Sequence, residues 1–381
     1  MGNIRSRFRS RPKELDDVVL FYPYVPPAAV KMVSKVLGTR WIGQGPLVDE
    51  FESNFGDYIG SDNCISVGSG TDALHLAYLL AGIEAGDEVI CPVFTCTATN
   101  IPLLYIGATP VFADIDPKTM NIDTRILRSL ITNKTKAIVT VDYGGLPCDY
   151  REIMQIANEF GLKVIDDAAH ALGATYQGSK IGTIADFTTY SFQAIKQITT
   201  GDGGMLVVRD PDLVAKARRL RWFGIDRVAK FGGIWSNDIQ EVGYKYQMTD
   251  IAAAMGLAGI SNIEEILSYR RRLLNKYFEV LSDIPGLYNV GSDALNDRNH
   301  AAWLHTVIVE ERNNLQAKLK EHNVESAPVH FRNDMYSIFG GRKENLPMMD
   351  SIEKKYLVLP LHMKVSMSDI DRIGEVIKSG W

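Results

Sequence analysis

A lysine in a glycine-rich setting is the first residue whose surroundings suggest chemistry. The stretch "YSFQAIKQITTGDGGMLVV" places Ser191 five positions before Lys196, and a glycine-rich turn from Gly201 to Gly204 leads into an apolar strand. An exposed cation is the alternative, but the serine and glycines favour a tight loop around a ligand. Burial lowers the pKa of an amine, so Lys196 in such a loop could form a Schiff base.

Two adjacent acids follow another apolar run, in "VIDDAAHALGATYQG". Asp166, Asp167 and His170 stand at the carboxyl end of this predicted strand. A carboxylate buried without a partner is costly, and a cation such as a pyridinium nitrogen would explain one. We interpret Asp166 as a helix cap or as one half of a surface ion pair.

A phosphate site is predicted in "VGSGTDALHLAYLLAG", residues 67–82. Gly68 and Gly70 allow a tight turn, Thr71 and Asp72 are expected to cap the helix that follows, and a helix N-terminus binds anions. A dinucleotide site would need an acid about 20 residues further on, at the end of the next strand. Asp87 and Glu88 precede that strand instead, which argues against a nicotinamide oxidoreductase.

A phosphate site, an acid at a strand end and a loop lysine are together what pyridoxal 5'-phosphate (PLP) requires. The three also occur in the order typical of fold-type I PLP enzymes. We therefore predict that residues 68–72 hold the PLP phosphate. A regulatory or structural protein that binds PLP without turnover is the alternative.

The elements that must position these residues alternate between apolar strands and helices up to about residue 250. The strands are continuous apolar runs, as in a parallel sheet covered on both faces, and the pattern predicts a doubly wound α/β fold. Ligands of such folds collect beyond the carboxyl ends of the strands. We predict a leader at 1–17, a large domain at 18–255 and a smaller α+β domain at 256–381.

Composition narrows the function classes. The net charge of -5 argues against a nucleic-acid partner, and no apolar run is long enough to span a bilayer. The four cysteines lack the spacing of metal ligands, so we expect buried thiols, no metal and a cytoplasmic location. The leader "MGNIRSRFRSRPKELDD" is expected to be solvated, with myristoylation beside a basic membrane patch as the alternative.

Six motifs resemble, in the same order, the DegT/DnrJ/EryC1/StrS family of PLP-dependent sugar aminotransferases. They are "GSGTDALHLA", "GIEAGDEVICPVFTCTATN", "GATPVFADID", "DDAAHALGA", "SFQAIKQITTGDGG" and "GYKYQMTDIAAAMGL". The resemblance implies an aspartate aminotransferase-like fold and a homodimer with shared active sites. It further implies amino transfer from an amino acid, usually glutamate, to a nucleotide-linked ketosugar, which we expect to be a 4-keto-6-deoxy sugar.

The resemblance also implies roles for individual residues. Catalysis is assigned to Lys196 as the Schiff-base lysine, Asp167 as the partner of the pyridinium nitrogen, and His170 beside the cofactor. Cofactor contacts are assigned to these three and to Gly70, Thr71, Asp72, Cys96, Ser191, Gln193 and Lys245. Of these, Lys245 belongs to the segment 243–246, which is expected to reach the phosphate of the partner subunit.

The sequence departs from the family pattern at two ring-facing positions and in one loop. Cys96 stands where many members have an aromatic residue that stacks on PLP, and Phe94 is a candidate substitute. Gln193 replaces a common histidine, and "GYKYQ" replaces Gly-Tyr-Asn-Tyr-Arg. The candidate substrate residues are Gly43, Gln44, Arg227, Lys230 and His330. For Arg227 and Lys230 the alternative is a solvated loop without a role in substrate binding.

Overall fold

The β-strands form the sheets that position the candidate site residues. The computed structural model describes residues 17–227, 229, 238–294 and 296–381. Its strands are β1 (Cys64–Val67), β2 (Glu88–Pro92), β3 (Phe94–Thr95), β4 (Thr109–Ala113), β5 (Thr135–Val141), β6 (Lys163–Asp167), β7 (Thr175–Tyr176), β8 (Ser179–Lys180), β9 (Phe187–Ser191), β10 (Gly204–Val208), β11 (Leu287–Asn289), β12 (Arg298–Asn299), β13 (His305–Val309), β14 (Phe331–Arg332) and β15 (Tyr356–Leu359).

A seven-stranded sheet in the order β1-β10-β9-β6-β5-β2-β4 forms the centre of the large domain. Neighbours from β9 to β4 pair in parallel, whereas β10 runs antiparallel to both β1 and β9. The strands are almost wholly buried because helices cover both faces, which explains their continuous apolar sequences. The predicted α/β class with a mostly parallel sheet is confirmed.

Helices alternate with these strands in the large domain and flank the smaller sheet beyond it. Those of the described residues are α1 (Pro27–Leu37), α2 (Pro46–Ile59), α3 (Gly70–Leu80), α4 (Thr97–Tyr105), α5 (Leu127–Leu130), α6 (Tyr150–Phe160), α7 (Val214–Leu220), α8 (Asp250–Ile260), α9 (Ile263–Val280), α10 (Arg312–Glu321), α11 (Pro347–Ile352) and α12 (Met367–Lys378). Helix α3, which follows β1, packs on β9 and β10 and so begins beside the predicted lysine loop.

A second, smaller sheet contains β11, β13 and β15, all antiparallel. Its apolar face packs with α9, α10 and α12 in a core of its own, which includes Leu273, Leu319 and Ile373. Val18, near the start of the described chain, also belongs to this core and pairs with Val324. Val18 therefore packs in the small-domain core, whereas Leu20 belongs to a core of the large sheet.

The predicted domain limits stay predictions, but the packing shows where the two cores meet. Helix α8 packs on α1 and α2, and its residues Ala253 and Leu257 belong to a core of the large sheet. The buried residues that α9 contributes to the small-domain core begin at Leu273, with Tyr269 packed against that core. The predicted leader lies outside the described residues, apart from Asp17.

Within the described residues, no single helix combines the length and apolarity needed to cross a membrane. Helices α8 and α9 meet that criterion only as a pair, and they are bent by 60° at the break between them.

Candidate active site

Lys196 lies in the loop between β9 and β10, with its amine free of hydrogen bonds to any described residue. Its Nζ lies 3.7 Å from the centre of the Trp303 ring. Burial lowers the pKa of this amine to about 8, although the nearby charges of Asp167 and Cys96 act in the opposite direction. A larger fraction of Lys196 is thus neutral near pH 7 than of an ordinary lysine, and a neutral amine is the nucleophilic form.

Asp167 ends β6 and is only 5% exposed. The Thr99 hydroxyl donates to its Oδ2 at 2.7 Å, and the Ala169 amide donates to its Oδ1 at 3.2 Å. Burial raises the pKa of this carboxyl, while the two hydrogen bonds and the charge of Lys196 oppose that rise. The carboxylate is held in one orientation and suits a cationic ligand that would offset its burial.

Asp166 lies on the opposite face of the same strand, because successive side chains of a strand alternate. It is 1% exposed, accepts a hydrogen bond from Thr140 at 3.2 Å, and lies beside a second buried carboxyl, Asp142. Burial and the neighbouring acids raise the pKa of Asp166 well above the ordinary carboxyl value. The interpretation of Asp166 as a helix cap or surface pair is wrong, since β6 is an interior strand covered on both faces.

The predicted phosphate site is the N-terminus of α3. Ser69 caps this helix by accepting from the Asp72 amide at 3.0 Å, so Thr71 and Asp72 lie in its first turn and the prediction that they cap it is wrong. Ser191 lies against the same turn: a Cβ on Gly70 would come within 3.0 Å of the Ser191 Cβ. A glycine there keeps open the space in which amides and a hydroxyl can meet an anion.

His170 is buried in a group of rings from distant parts of the chain. Its imidazole stacks on Trp303, with centroids 3.7 Å apart and planes at 18°. His330 of the small domain lies beside it, with the two Nε2 atoms 3.5 Å apart. Burial and the positive charge of Lys196 lower the pKa of both imidazoles, that of His330 to about 3, so both are neutral at pH 7.

Trp303 is the residue of this site that the sequence reasoning missed. Its indole Nε1 donates to the carbonyl of Ile195, which directly precedes Lys196, at 3.0 Å. The preceding residue, Ala302, adopts the left-handed region at φ 52°, which is uncommon for a residue other than glycine. The signal in the sequence was a lone tryptophan before the strand "HTVIV", which does not by itself point to a lysine 107 positions away.

A second group of predicted residues surrounds Trp222. The guanidinium of Arg227 lies 4.9 Å from the Trp222 ring centre and donates to the Gln44 side chain, and the Lys245 amine lies 3.7 Å from the same centre. The Gly43 carbonyl accepts from the Asp250 amide at 2.6 Å. The structure therefore brings Gln44, Arg227 and Lys245 together, whereas Lys230 lies outside the described residues.

The residues proposed to contact the cofactor ring have different environments. Cys96 is partly exposed at the start of α4, near enough for its charge to affect Lys196. Phe94 is buried between Tyr143 and Tyr356, with ring centres 5.1 and 5.0 Å away. Phe94 is part of the core, so the idea that it replaces a stacking aromatic is wrong. Gln193 is exposed, and its Oε1 accepts from the Ile195 amide.

The sheet order and the lysine loop define the class of protein, an α/β enzyme of the aminotransferase type. The model of the DegT/DnrJ/EryC1/StrS aminotransferase family matches residues 26–378, and the chain belongs to this family. The resemblance drawn from the motifs is confirmed, as is the prediction that the chain is an aminotransferase.

Relatives cover nearly the whole chain. It is 39% identical to a GDP-perosamine synthase of Caulobacter vibrioides, over 90% of this chain and 92% of that protein. It is 35% identical to the spore coat polysaccharide biosynthesis protein SpsC of Bacillus subtilis, over 94% of this chain and 96% of that protein.

Solved structures agree with this assignment. The sugar aminotransferase CalS13 from Micromonospora echinospora superposes with a TM-score of 0.91 at 32% identity, covering 96% of this chain and all of that one. Spr1654 from Streptococcus pneumoniae, described as a putative sugar aminotransferase in its PLP form, gives a TM-score of 0.86 at 29% identity, over 94% and 98%. The fold is thus that of PLP-dependent sugar aminotransferases.

Proposed function

We propose that this chain carries PLP on Lys196 and transfers an amino group from an amino acid to a nucleotide-linked ketosugar. The observation that carries the proposal is the meeting of three groups at one edge of the sheet. These are the Lys196 amine without a hydrogen-bond partner among the described residues, the buried Asp167 carboxylate, and the open N-terminus of α3. PLP dependence of the family supports it.

The residues present fit this cofactor. The phosphate would be held by the first-turn amides of α3 at Gly70 and Thr71 and by the hydroxyl of Ser191, which the glycine at 70 leaves accessible. The Asp72 amide, which was also expected to hold it, donates to the Ser69 hydroxyl. Asp167 would hold a proton on the ring nitrogen, with its carboxylate oriented by Thr99. When bound, PLP supplies an electron sink for the bond between the Cα and its hydrogen in the amino-acid donor.

Lys196 would also act as the base of the reaction. Its Nζ would take and hold the proton from the Cα of the amino-acid donor, so the amine must be neutral at the start of that step. Burial, which lowers its pKa to about 8, favours that state. The buried Trp303 ring covers one side of this half-buried amine, and a less polar surrounding strengthens the attraction between the protonated amine and Asp167.

The substrates follow from the relatives and from the cationic group around Trp222. A GDP-perosamine synthase among the relatives supports a nucleotide-linked sugar, and we propose a 4-keto-6-deoxy sugar with glutamate as the donor. Arg227, with Gln44 and the backbone at Gly43, would face the sugar diphosphate. His330 would approach the sugar from the small domain. We also propose a homodimer in which Lys245 of the partner subunit reaches the cofactor phosphate.

The first test is the visible spectrum of the purified protein with added PLP, before and after borohydride. We expect a yellow chromophore that borohydride bleaches, a mass increase fixed on Lys196, and no such change in Lys196→Ala. Lys180→Ala is the matched control, because the Lys180 amine also lies over an aromatic ring, Tyr58, at 3.9 Å.

Glutamate and ketosugar nucleotides are then supplied to the coloured protein. Formation of an amino sugar supports the proposal, whereas a coloured protein without turnover on any ketosugar would indicate a non-catalytic PLP-binding homologue. If the wild type stays colourless, or if Lys196→Ala behaves like the wild type, the N-terminus of α3 would bind a phosphate other than that of PLP.

A further inference from the structure

The two histidines of the site meet in a geometry that constrains their protons. The planes of His170 and His330 differ by 10°, and their centroids are 5.4 Å apart, although the Nε2 atoms are only 3.5 Å apart. The rings therefore meet edge to edge, each presenting Nε2 to the other. A hydrogen bond between the two Nε2 atoms requires one ring with its proton on Nε2 and the other with its proton on Nδ1.

His170 cannot easily turn away from this contact. Trp303 stacks on its ring at 3.7 Å, and the Trp303 backbone amide is itself bonded to the Gly144 carbonyl. The His170 carbonyl accepts from the Gln197 side chain at 2.5 Å. The stacking holds the plane of the imidazole, and the Gln197 contact holds the backbone that carries it.

The other nitrogen of His170, Nδ1, is buried and has no hydrogen-bond partner among the described residues. Leaving a buried polar atom unpaired costs free energy, so such an atom points to a ligand that completes the site. His170 is also close enough to Lys196 for the charge of the amine to affect it. A ligand attached to Lys196 would lie within the same pocket.

We propose that His330 is a positioning residue: its Nε2–H donates to Nε2 of His170, which fixes the tautomer of His170 with the proton on Nδ1. His170 then offers a hydrogen-bond donor to an oxygen of the bound ligand. A ligand ring whose nitrogen is kept protonated by Asp167 places negative charge on its oxygen, and such an oxygen requires a donor. The consequence for catalysis rests on the proposed function, whereas the tautomer itself does not.

The tautomer can be measured directly in the full chain without cofactor. Histidine-selective 15N labelling gives seven imidazoles, and long-range 15N–1H correlations distinguish Nδ1–H from Nε2–H. The His170→Gln variant assigns the His170 signals. We expect wild-type His170 to show Nδ1–H at pH 7.

Two variants of His330 then test the cause. His330→Gln keeps an N–H donor and should preserve the His170 tautomer, whereas His330→Leu removes the donor and should shift His170 toward Nε2–H. His322→Gln, at an exposed position, is the control. An Nε2–H tautomer in the wild type would overturn the proposal, and so would a His170 signal unchanged in His330→Leu. Should His330→Leu fail to fold, the wild-type spectrum alone decides.

Activity provides the second readout. We expect kcat to fall about tenfold in His330→Leu and to recover largely in His330→Gln, with KM for the donor little changed. If the wild type shows no transaminase activity at all, the proposed function fails while the tautomer measurement still tests the role of His330.

Discussion

At the scale of single residues, Asp166 and Asp167 show how one strand gives adjacent carboxyls opposite properties. Asp167 faces Thr99 and the lysine amine, both of which favour its ionised form. Asp166 faces Asp142, and the proximity of two buried acids favours the protonated form. The sequence "DD" carries no sign of this difference, because it depends on which side chains cover each face of the sheet.

The Asp167→Asn variant is expected to lower kcat by roughly two orders of magnitude or more, because an amide cannot hold a proton on the cofactor ring nitrogen. The adjacent Asp166→Asn variant should keep most of the activity, since an amide resembles the protonated carboxyl. Steady-state kinetics with glutamate and a ketosugar nucleotide, with far-UV circular dichroism as the folding control, compares the two. Similar losses of kcat in both variants would contradict the role proposed for Asp167.

At the scale of elements, most strands and helices follow from apolar periodicity, and the site elements follow from glycine spacing. The start of α3 and the loop after β9 lie where the glycines predicted them. The stacking of Trp303 on His170 could not be predicted from the sequence. Trp303 lies just before β13, whereas His170 lies in the turn after β6, so the contact joins two distant parts of the chain. Periodicity reports which face of an element is apolar, but not which distant element covers it.

Asp142 directly follows β5 and Asp166 is the penultimate residue of β6, and these two buried acids predict a pH-dependent contribution to stability. Burial raises the pKa of Asp142 to about 7. At Asp142 the folded chain therefore keeps a proton that the unfolded chain loses between about pH 4 and pH 7. The contribution of this group to the free energy of unfolding should fall as pH rises through this window, by at most about 1.4 kcal/mol per pH unit. Buried histidines such as His170 and His330 have lowered pKa values and contribute with the opposite sign, so the effect of Asp142 is the difference between the wild type and a variant that cannot titrate there.

Asp142→Asn should gain stability relative to the wild type as pH rises from 5 to 7, because an amide does not titrate. Its oxygen can still accept from the Cys148 amide and the Tyr150 hydroxyl, so the variant should keep the fold. Urea unfolding of the cofactor-free chain at several pH values between 5 and 8 measures the slope. The exposed Asp57→Asn serves as the control and should run parallel to the wild type. A variant curve as steep as that of the wild type would contradict the assignment.

At the scale of the whole molecule, the site joins both domains. Lys196 and Asp167 come from the large sheet, while His330 comes from the segment that pairs through β14 with β3. Within one chain, Lys196 and Asp167 are close enough for each charge to shift the pKa of the other. Lys245 instead lies over its own Trp222 and Phe223, at 3.7 and 5.5 Å.

The proposed dimer is testable by mixing inactive chains. Lys196→Ala and Lys245→Ala chains should each lose most activity alone, yet a mixed dimer has one site with Lys196 from one chain and Lys245 from the other. Random pairing should restore about a quarter of wild-type activity. Mixing Lys196→Ala with Asp167→Asn should restore none, since both residues of a site come from one chain. Equal recovery in both mixtures, or in neither, would refute a shared site built with Lys245.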